Sequence, residues 1–351
     1  MDLHVFNPEH DIALAYNRRH LTMPHAAQEL RMNLGWIPSL WASDGDAVLV
    51  DDLAFAIKAS SEFHQRKDVL FVTWDDLHHL QVNQVFPWGW DLTIRTSLAE
   101  HGLSVSILPT DDDLDFIRHL SSRVTTIRAL EMIREGMEEQ TCGEVRYHSS
   151  IDALSETIAN WHRVVLKAPW SSSGRGVRYV DGAMPSSVSG WILRVIQIQG
   201  GVMVEPYYNK VKDFAMEFFM HENGEVEYTG LSLFETVNHT YTGNLLTSEE
   251  KKRVIINKWI PLSLIDAVKE RICACFPVLS EHRYTGPFGI DMMVVSRQDQ
   301  QGFLLHPCVE INLRRTMGHV ALSLKSFKEQ EQRLMCIEHK ENYSLKITTA
   351  G

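Results

Sequence analysis

The chain has 351 residues, 44% of them hydrophobic and 23% charged, with a formal net charge of −11. That length accommodates two to three compact units of ordinary globular composition, and the negative balance, with no basic run, excludes non-specific nucleic-acid binding. No apolar stretch approaches the ~18 residues of a membrane helix, the segment Met1-Asp2-Leu3-His4-Val5-Phe6-Asn7 lacks the features of a signal peptide, and the five cysteines contain no Cys-x-x-Cys pair, so a cytoplasmic protein with reduced thiols is expected.

Leu3-His4-Val5-Phe6 reads as a short strand, and Asp11 to Tyr16 opens a helix. Between them, Asn7-Pro8-Glu9-His10-Asp11 supports two readings: a polar substrate loop, or a helix start with Asn7 as N-cap, Pro8 at the first helical position and acids in the first turn. Ala47 to Val50, Val69 to Val72 and Ser104 to Leu108 are further runs of strand length, with helix-like segments between them. Alternation of this kind predicts a parallel α/β sheet, which binds ligands beyond the carboxyl ends of its strands. Pro87-Trp88-Gly89-Trp90-Asp91 reads as inter-element packing or as a pocket lining. The seventeen histidines show no metal-ligand spacing.

Val124 to Glu138 has a helix pattern, followed by a short strand at Val145 to Tyr147 and a helix from Asp152 to Trp161. Next comes the most informative stretch, Val164-Val165-Leu166-Lys167-Ala168-Pro169-Trp170-Ser171-Ser172-Ser173-Gly174-Arg175-Gly176-Val177. An apolar strand ends in a lysine, a small-residue loop follows, and a second apolar run begins. Successive backbone N–H groups in such a loop can cradle an anion, and lysine adds a point charge for phosphate. No Gly-Lys-Ser/Thr follows, so this is not a Walker A loop; a plain surface turn is the alternative.

Val202-Met203-Val204-Glu205-Pro206-Tyr207-Tyr208 is a strand ending in an acid, with Asp213 further on. Phe214 to Phe219 and Glu225 to Thr229 flank an Asn223-Gly224 hairpin turn, and Pro261 to Phe276 is helical. Phe288 to Val295 and Phe303 to Asn312 read as two antiparallel strands. Residues two apart on a strand share a face, so Glu310 and Asn312 point together, and Asp291 can face them from the partner strand. Two carboxylates and a carboxamide of this kind suit Mg²⁺, which takes hard oxygen ligands shared with phosphates. An acidic hairpin edge is the alternative, disfavoured by the cost of burying charge among these apolar residues. Directly afterwards, Arg314, Arg315, Thr316 and His319 are candidates to grip an anionic substrate group. Phe234 to Asn244 is a further candidate border for the acceptor pocket, or a surface connection. The tail beyond about Phe327 reads as charged and helix-prone to His339, then strand-like from Tyr343 to Thr348.

The ordered set from Lys167 and the Ser171–Gly176 loop, through Glu205 and Asp213, to Asp291 and Glu310-x-Asn312 resembles the ATP-grasp superfamily. It is most similar to carboxylate–amine ligases such as D-alanine–D-alanine ligase and glutathione synthetase, over roughly residues 122 to 320. The resemblance implies an α/β fold in which an N-terminal parallel α/β domain (1–121) precedes an ATP-grasp fold of two α+β subdomains (122–205, with the glycine-rich loop, and 206–330, with the metal site), then a tail (331–351). It implies ATP with Mg²⁺ or Mn²⁺ as cofactors. Lys167 would meet the phosphates, Ser172, Ser173, Gly174 and Gly176 would close over them, and Arg175 would reach the γ-phosphate. Glu205 and the backbone beside Tyr207 would take adenine, and Asp213 the ribose. Asp291, Glu310 and Asn312 would hold the metal. The implied chemistry phosphorylates a small-molecule or peptide-like carboxylate, which an amine then attacks, with Arg314, Arg315 and His319 near the reacting groups. One departure stands out: the dipeptide-type ligases carry an arginine just before the first metal aspartate, where this chain has Phe288-Gly289. A kinase-like phosphotransferase and a non-catalytic nucleotide-binding protein therefore stay open as alternatives. Neither membrane nor nucleic acid is an expected partner, and a homo-oligomer is compatible with the sequence.

Overall fold

The structure is a computed structural model that describes residues 1–171, 176–237, 240–297, 301–324 and 332–349. Its chain divides into two compact units. Unit 1 comprises 1–118, 242–248 and 314–351; unit 2 comprises 119–241 and 249–313.

Unit 1 begins with β1 (Leu3–Val5), α1 (His10–Tyr16), α2 (His25–Leu34), β2 (Ala47–Leu49), α3 (Leu53–Ser60), β3 (Leu70–Val72), β4 (Val85–Pro87), α4 (Leu92–Glu100) and α5 (Asp111–Leu120). The strands form a parallel sheet in the order β3-β2-β1-β4. Side chains alternate between its faces. Leu3, Val5, Ala47 and Leu49 pack with Ile94 and Leu98 on one face, while Phe6, Val48 and Val50 pack with Trp36 and Trp88 on the other. Both faces are buried, as parallel sheets require. Aspartates fix two helix starts: Asp52 accepts from Phe55 N at 2.9 Å and Asp91 from Ile94 N at 2.9 Å.

Two local expectations fail here. Ser104 to Leu108 is no strand: Ser104 caps a single 3-10 turn at Val105–Ile107, because its hydroxyl competes for the backbone. The fourth strand is Val85–Pro87, where proline is tolerated because this strand is at the edge of the sheet. Nor does Asn7 cap α1. That helix begins after Glu9, and the Asn7 carboxamide binds Gly89 and Asp91 instead.

Unit 2 opens with α6 (Thr125–Arg134), β5 (Arg146–His148), α7 (Ile151–Trp161), β6 (Arg163–Lys167), β7 (Val177–Asp181), α8 (Ser186–Gln199) and β8 (Val202–Pro206). Their antiparallel sheet has the order β5-β8-β6-β7. Leu154 and Ile158 of α7 and Ile192 and Val195 of α8 bury the apolar residues of β6 and β8. The chain continues through β9 (Lys210–Met220), β10 (Val226–Ser232), β11 (Phe234–Val237), β12 (Thr240–Leu246), α9 (Glu249–Ile256), α10 (Leu262–Leu279), β13 (Gly286–Ser296) and β14 (Phe303–Asn312). A second antiparallel sheet in unit 2 runs β10-β9-β13-β14. Phe288 of β13 stacks on Phe276 of α10, with ring centroids 3.6 Å apart, and on Phe218 of β9.

At Leu313 the chain leaves unit 2. In unit 1 it forms α11 (Met317–Ser323), β15 (Arg333–His339) and β16 (Tyr343–Thr349). Residues 333–339, expected to be helix-prone, are a strand paired with β16 and, through Met335 and its neighbours, with Asn244–Leu246. Met335 and Leu345 enter the core beside Trp36 and Val320. Burial of this alternating apolar pattern outweighs the helix propensity of the charged residues between.

Candidate functional site

Within unit 2, β6 carries Lys167 to the edge of the glycine-rich loop. Its ammonium lies 2.7 Å from both carboxylate oxygens of Glu205 on β8, and both side chains are buried. The register explains the meeting: Val165 pairs with Glu205 and Lys167 with Met203 on adjacent strands. Two opposite charges withdrawn from water require this closeness. Glu205, expected to face adenine, is thus engaged with Lys167. Tyr207 packs under the Arg163 guanidinium at 4.3 Å, and its backbone N–H donates to Arg163 O. Asp213 forms an ion pair with Lys210.

Ser172, Ser173, Gly174 and Arg175 lie outside the described residues; the loop's ends do not. Gly176 O accepts from Ala168 N at 2.8 Å. A Cβ at Gly176 would stand 2.1 Å from Ser171 Oγ, so only glycine closes the loop there.

The proposed metal strands are antiparallel, with Asp291 directly opposite Glu310 and Gly289 opposite Asn312. Directly opposed residues have Cβ atoms about 5 Å apart, and like charges so placed repel. Arg123, at the start of unit 2, offsets that repulsion. Its guanidinium donates to Glu310 Oε1 at 2.6 Å, to Ala168 O at 2.7 Å, to Ser171 Oγ at 2.7 Å and to Ser171 O at 2.9 Å. Arg123 therefore joins the root of the glycine-rich loop to the carboxylate pair. Sequence reading missed it. Glu310 lies 187 positions away, and the only local signal is one arginine ahead of an amphipathic helix. The hairpin thus offers two opposed carboxylates, one of them held by Arg123, as hard oxygen donors; among the described residues no group of three acidic, histidine or cysteine side chains gathers to hold a metal.

His306 and Cys308, on the same strand, were also not singled out. The His306 ring is fully buried, edge-on to Tyr208 at 5.5 Å, and neither nitrogen has a partner among the described residues. Burial, aided by the charges of Lys167 and Arg134, pushes its pKa down to about 3, so it is neutral at pH 7. Burial likewise raises the Cys308 thiol.

The acceptor candidates belong to unit 1. Arg314 grips Asp11, with Nη2 3.0 Å from Oδ2. Arg315 stacks over Trp41 at 4.7 Å, and its backbone N–H donates to Trp88 O at 2.8 Å. His319 Nδ1 accepts from Thr316 N at 3.2 Å in a capping box that starts α11. Structural partners thus hold Arg314, Arg315 and His319 in place. Phe288, where ligases of the dipeptide type carry an arginine nearby, is a fully buried core residue.

Comparison with solved structures gives the fold a name. Biotin carboxylase from Campylobacter jejuni, in a beta-gamma-ATP complex, aligns with a TM-score of 0.52 at 11% identity, over 96% of this chain and 75% of that one. N5-carboxyaminoimidazole synthetase from Staphylococcus aureus, complexed with ADP, gives 0.48 at 11% identity over 96% and 82%. The N5-carboxyaminoimidazole ribonucleotide synthetase from Thermus thermophilus gives 0.46 at 12% identity over 95% and 82%. The chain has the ATP-grasp fold. No protein-family model and no curated protein sequence matches it. Within that fold, Lys167, Glu205, Asp213, Asp291, Glu310 and Asn312 lie on the two antiparallel sheets of unit 2, and the parallel sheet of unit 1 precedes them in sequence. Among the described residues, no helix is long and apolar enough to cross a membrane.

Proposed function

We propose that the protein is an ATP- and Mg²⁺-dependent ligase that joins a carboxylate to an amine through an acylphosphate. The observation that carries this reading is Arg123, which ties the root of a glycine-rich loop to a carboxylate directly opposite a second one. Arg123 and Lys167 offer cations to the triphosphate. Glu205 holds Lys167 in place, and the backbone beside Tyr207 takes the adenine edge. Asp213 takes the ribose, and the glycine-rich loop covers the phosphates and keeps water out. Asp291, Glu310 and Asn312 would hold Mg²⁺, which would supply neutralisation of phosphate charge. With Phe288 committed to the core, the anionic tetrahedral intermediate needs donors from elsewhere, and Arg314 is the nearest in sequence to the metal strand.

The test is phosphate release by the purified protein with Mg-ATP and pooled amino acids and small acids. Release that requires both an acid and an amine supports the ligase. Release that needs no amine supports a kinase-like transfer. Mg-ATP binding with no turnover under any pool leaves a nucleotide-binding protein.

A further inference from the structure

In unit 1 the chain runs from β1 outward through β2 to β3, then returns to place β4 on the other side of β1. The loops after β1 and β4 therefore diverge, and the crevice between them is the switch point where open parallel sheets bind ligands. Asn7, Glu9 and His10 follow β1; Gly89 and Asp91 follow β4. All four polar side chains are buried, none more than 5% exposed. His10 Nδ1 lies 3.0 Å from Asp91 Oδ2, and that oxygen also accepts from Asn7 Nδ2 at 3.2 Å. Asp91 Oδ1 accepts from Ile94 N. A carboxylate so placed accepts only, so the proton of a neutral His10 sits on Nδ1 and Nε2 carries a lone pair. That Nε2 is buried and has no partner among the described residues, and the same is true of Glu9 Oε2. Glu9 Oε1 is held by Arg31 at 2.6 Å, which Asp51 shares at 2.9 Å.

Buried polar atoms go unpartnered at a cost of about 1–3 kcal/mol each. Two acceptors orphaned at one switch point call for a ligand with N–H groups. Charge narrows the class: Glu9, Asp91 and Asp51 stand against Arg31, so the crevice favours a positive guest. Gly89 lies against the Nε2–Cδ2 edge of the imidazole, where a Cβ would fall 2.6 Å from both atoms, so only glycine leaves room beside Nε2.

We propose that this crevice is the amine site of the ligase, with Glu9 Oε2 and His10 Nε2 accepting the ammonium protons and His10 acting as the proton acceptor; the idea rests on the ligase reading. An amine arrives as R–NH₃⁺, which has no lone pair. One N–H bond breaks, an Nε2–H bond forms, and R–NH₂ is left beside an imidazolium that Asp91 stabilises. No co-reactant is needed. The amine then forms the N–C bond at the acylphosphate carbonyl, the C–O bond to phosphate breaks, the departing phosphate takes the second nitrogen proton, and the proton on Nε2 returns to solvent after the product leaves.

The full-length protein tests this with His10→Gln and Asp91→Asn. In the phosphate-release assay with pooled amino acids and linear diamines, each substitution should reduce amine-stimulated release at least 100-fold, in line with the usual contribution of a general base, while calorimetric Mg-ATP affinity persists. Release within threefold of the parent in a folded His10→Gln protein overturns the proposal. Should the parent show no amine stimulation, the ligase reading fails by itself, and the site is judged by ¹⁵N-histidine NMR with the same pool. Movement of the His10 Nε2 resonance then upholds an amine site, and no movement disproves it.

Discussion

The β13–β14 hairpin of unit 2 and the β1–β4 switch point of unit 1 each bring acidic side chains together inside protein, but they satisfy them differently. Asp291 and Glu310 face each other across a ladder, and Arg123, a full cation, holds Glu310. Asp91 is satisfied by Asn7, a helix N-terminus and the His10 imidazole. A site with a resident cation is suited to exchange it for another cation, as metal binding requires. At the switch point Arg31 holds one oxygen of Glu9 while Glu9 Oε2 and His10 Nε2 have no partner among the described residues, so that site offers acceptors to whatever enters. If this contrast is right, substitutions in the hairpin should act through metal and phosphate, and those at the switch point through the amine.

The hairpin should show the largest effect. Glu310→Gln removes a metal oxygen and the partner of a buried guanidinium. Turnover of Mg-ATP should fall by about 10³-fold, within the range for losing one preorganised charge contact. The apo protein should lose about 1.5–3 kcal/mol, the value of a charge-assisted hydrogen bond, and added Mg-ATP should restore little of it. Thermal melts with and without Mg-ATP decide: a variant with undiminished Mg-ATP stabilisation would remove Glu310 from the metal site.

Next comes the Lys167–Glu205 pair, which separates binding from stability. Lys167→Met leaves a buried carboxylate alone, at a cost of about 3–5 kcal/mol, whereas an apolar replacement of both members is often neutral. The double variant Lys167→Met with Glu205→Met should therefore recover most of the stability lost in the single one, yet still bind Mg-ATP at least tenfold more weakly than the parent. Urea unfolding and calorimetry measure the two quantities independently. Recovery of ATP affinity together with stability would assign the pair a purely structural role.

Legibility from sequence follows contact distance along the chain. The opposition of Asp291 and Glu310 was readable because one hairpin carries both, and strand alternation fixes who faces whom. The Lys167 strand, its antiparallel partner and the hinge strand were readable for the same reason. Arg123 and His10–Asp91 were not. Their partners lie 187 and 81 positions away, and pairing across such spans is decided by the tertiary fold. Short elements also misled. Val85–Pro87 has three residues and ends in proline, so its strand character comes from neighbours rather than from its own pattern. Residues 333–339 carry charges that suggest a helix, but the alternation of Leu334, Cys336 and Glu338 with the buried Met335 and its neighbours suits a sheet covering Trp36.

The smallest predicted effect contrasts the two buried histidines. His10 lies 3.0 Å from the Asp91 carboxylate. For His306, burial with the nearby cations Lys167 and Arg134 holds the pKa near 3, against 6.5 for the free side chain. The sign follows by linkage. Below pH 6.5 the unfolded chain takes up a proton at this histidine that the folded protein refuses, so the contribution of His306 is fully present above 6.5 and is lost as pH falls from there toward 3. Each pH unit in that window is worth about 1.4 kcal/mol. Between pH 7 and pH 5 the parent should lose about 2 kcal/mol more than His306→Leu, which has no group to protonate there. Urea unfolding of both proteins at the two pH values measures the difference. Parallel losses in the two proteins would mean that His306 accepts a proton in the folded state as readily as in the unfolded chain, and the contrast between the two histidines would disappear.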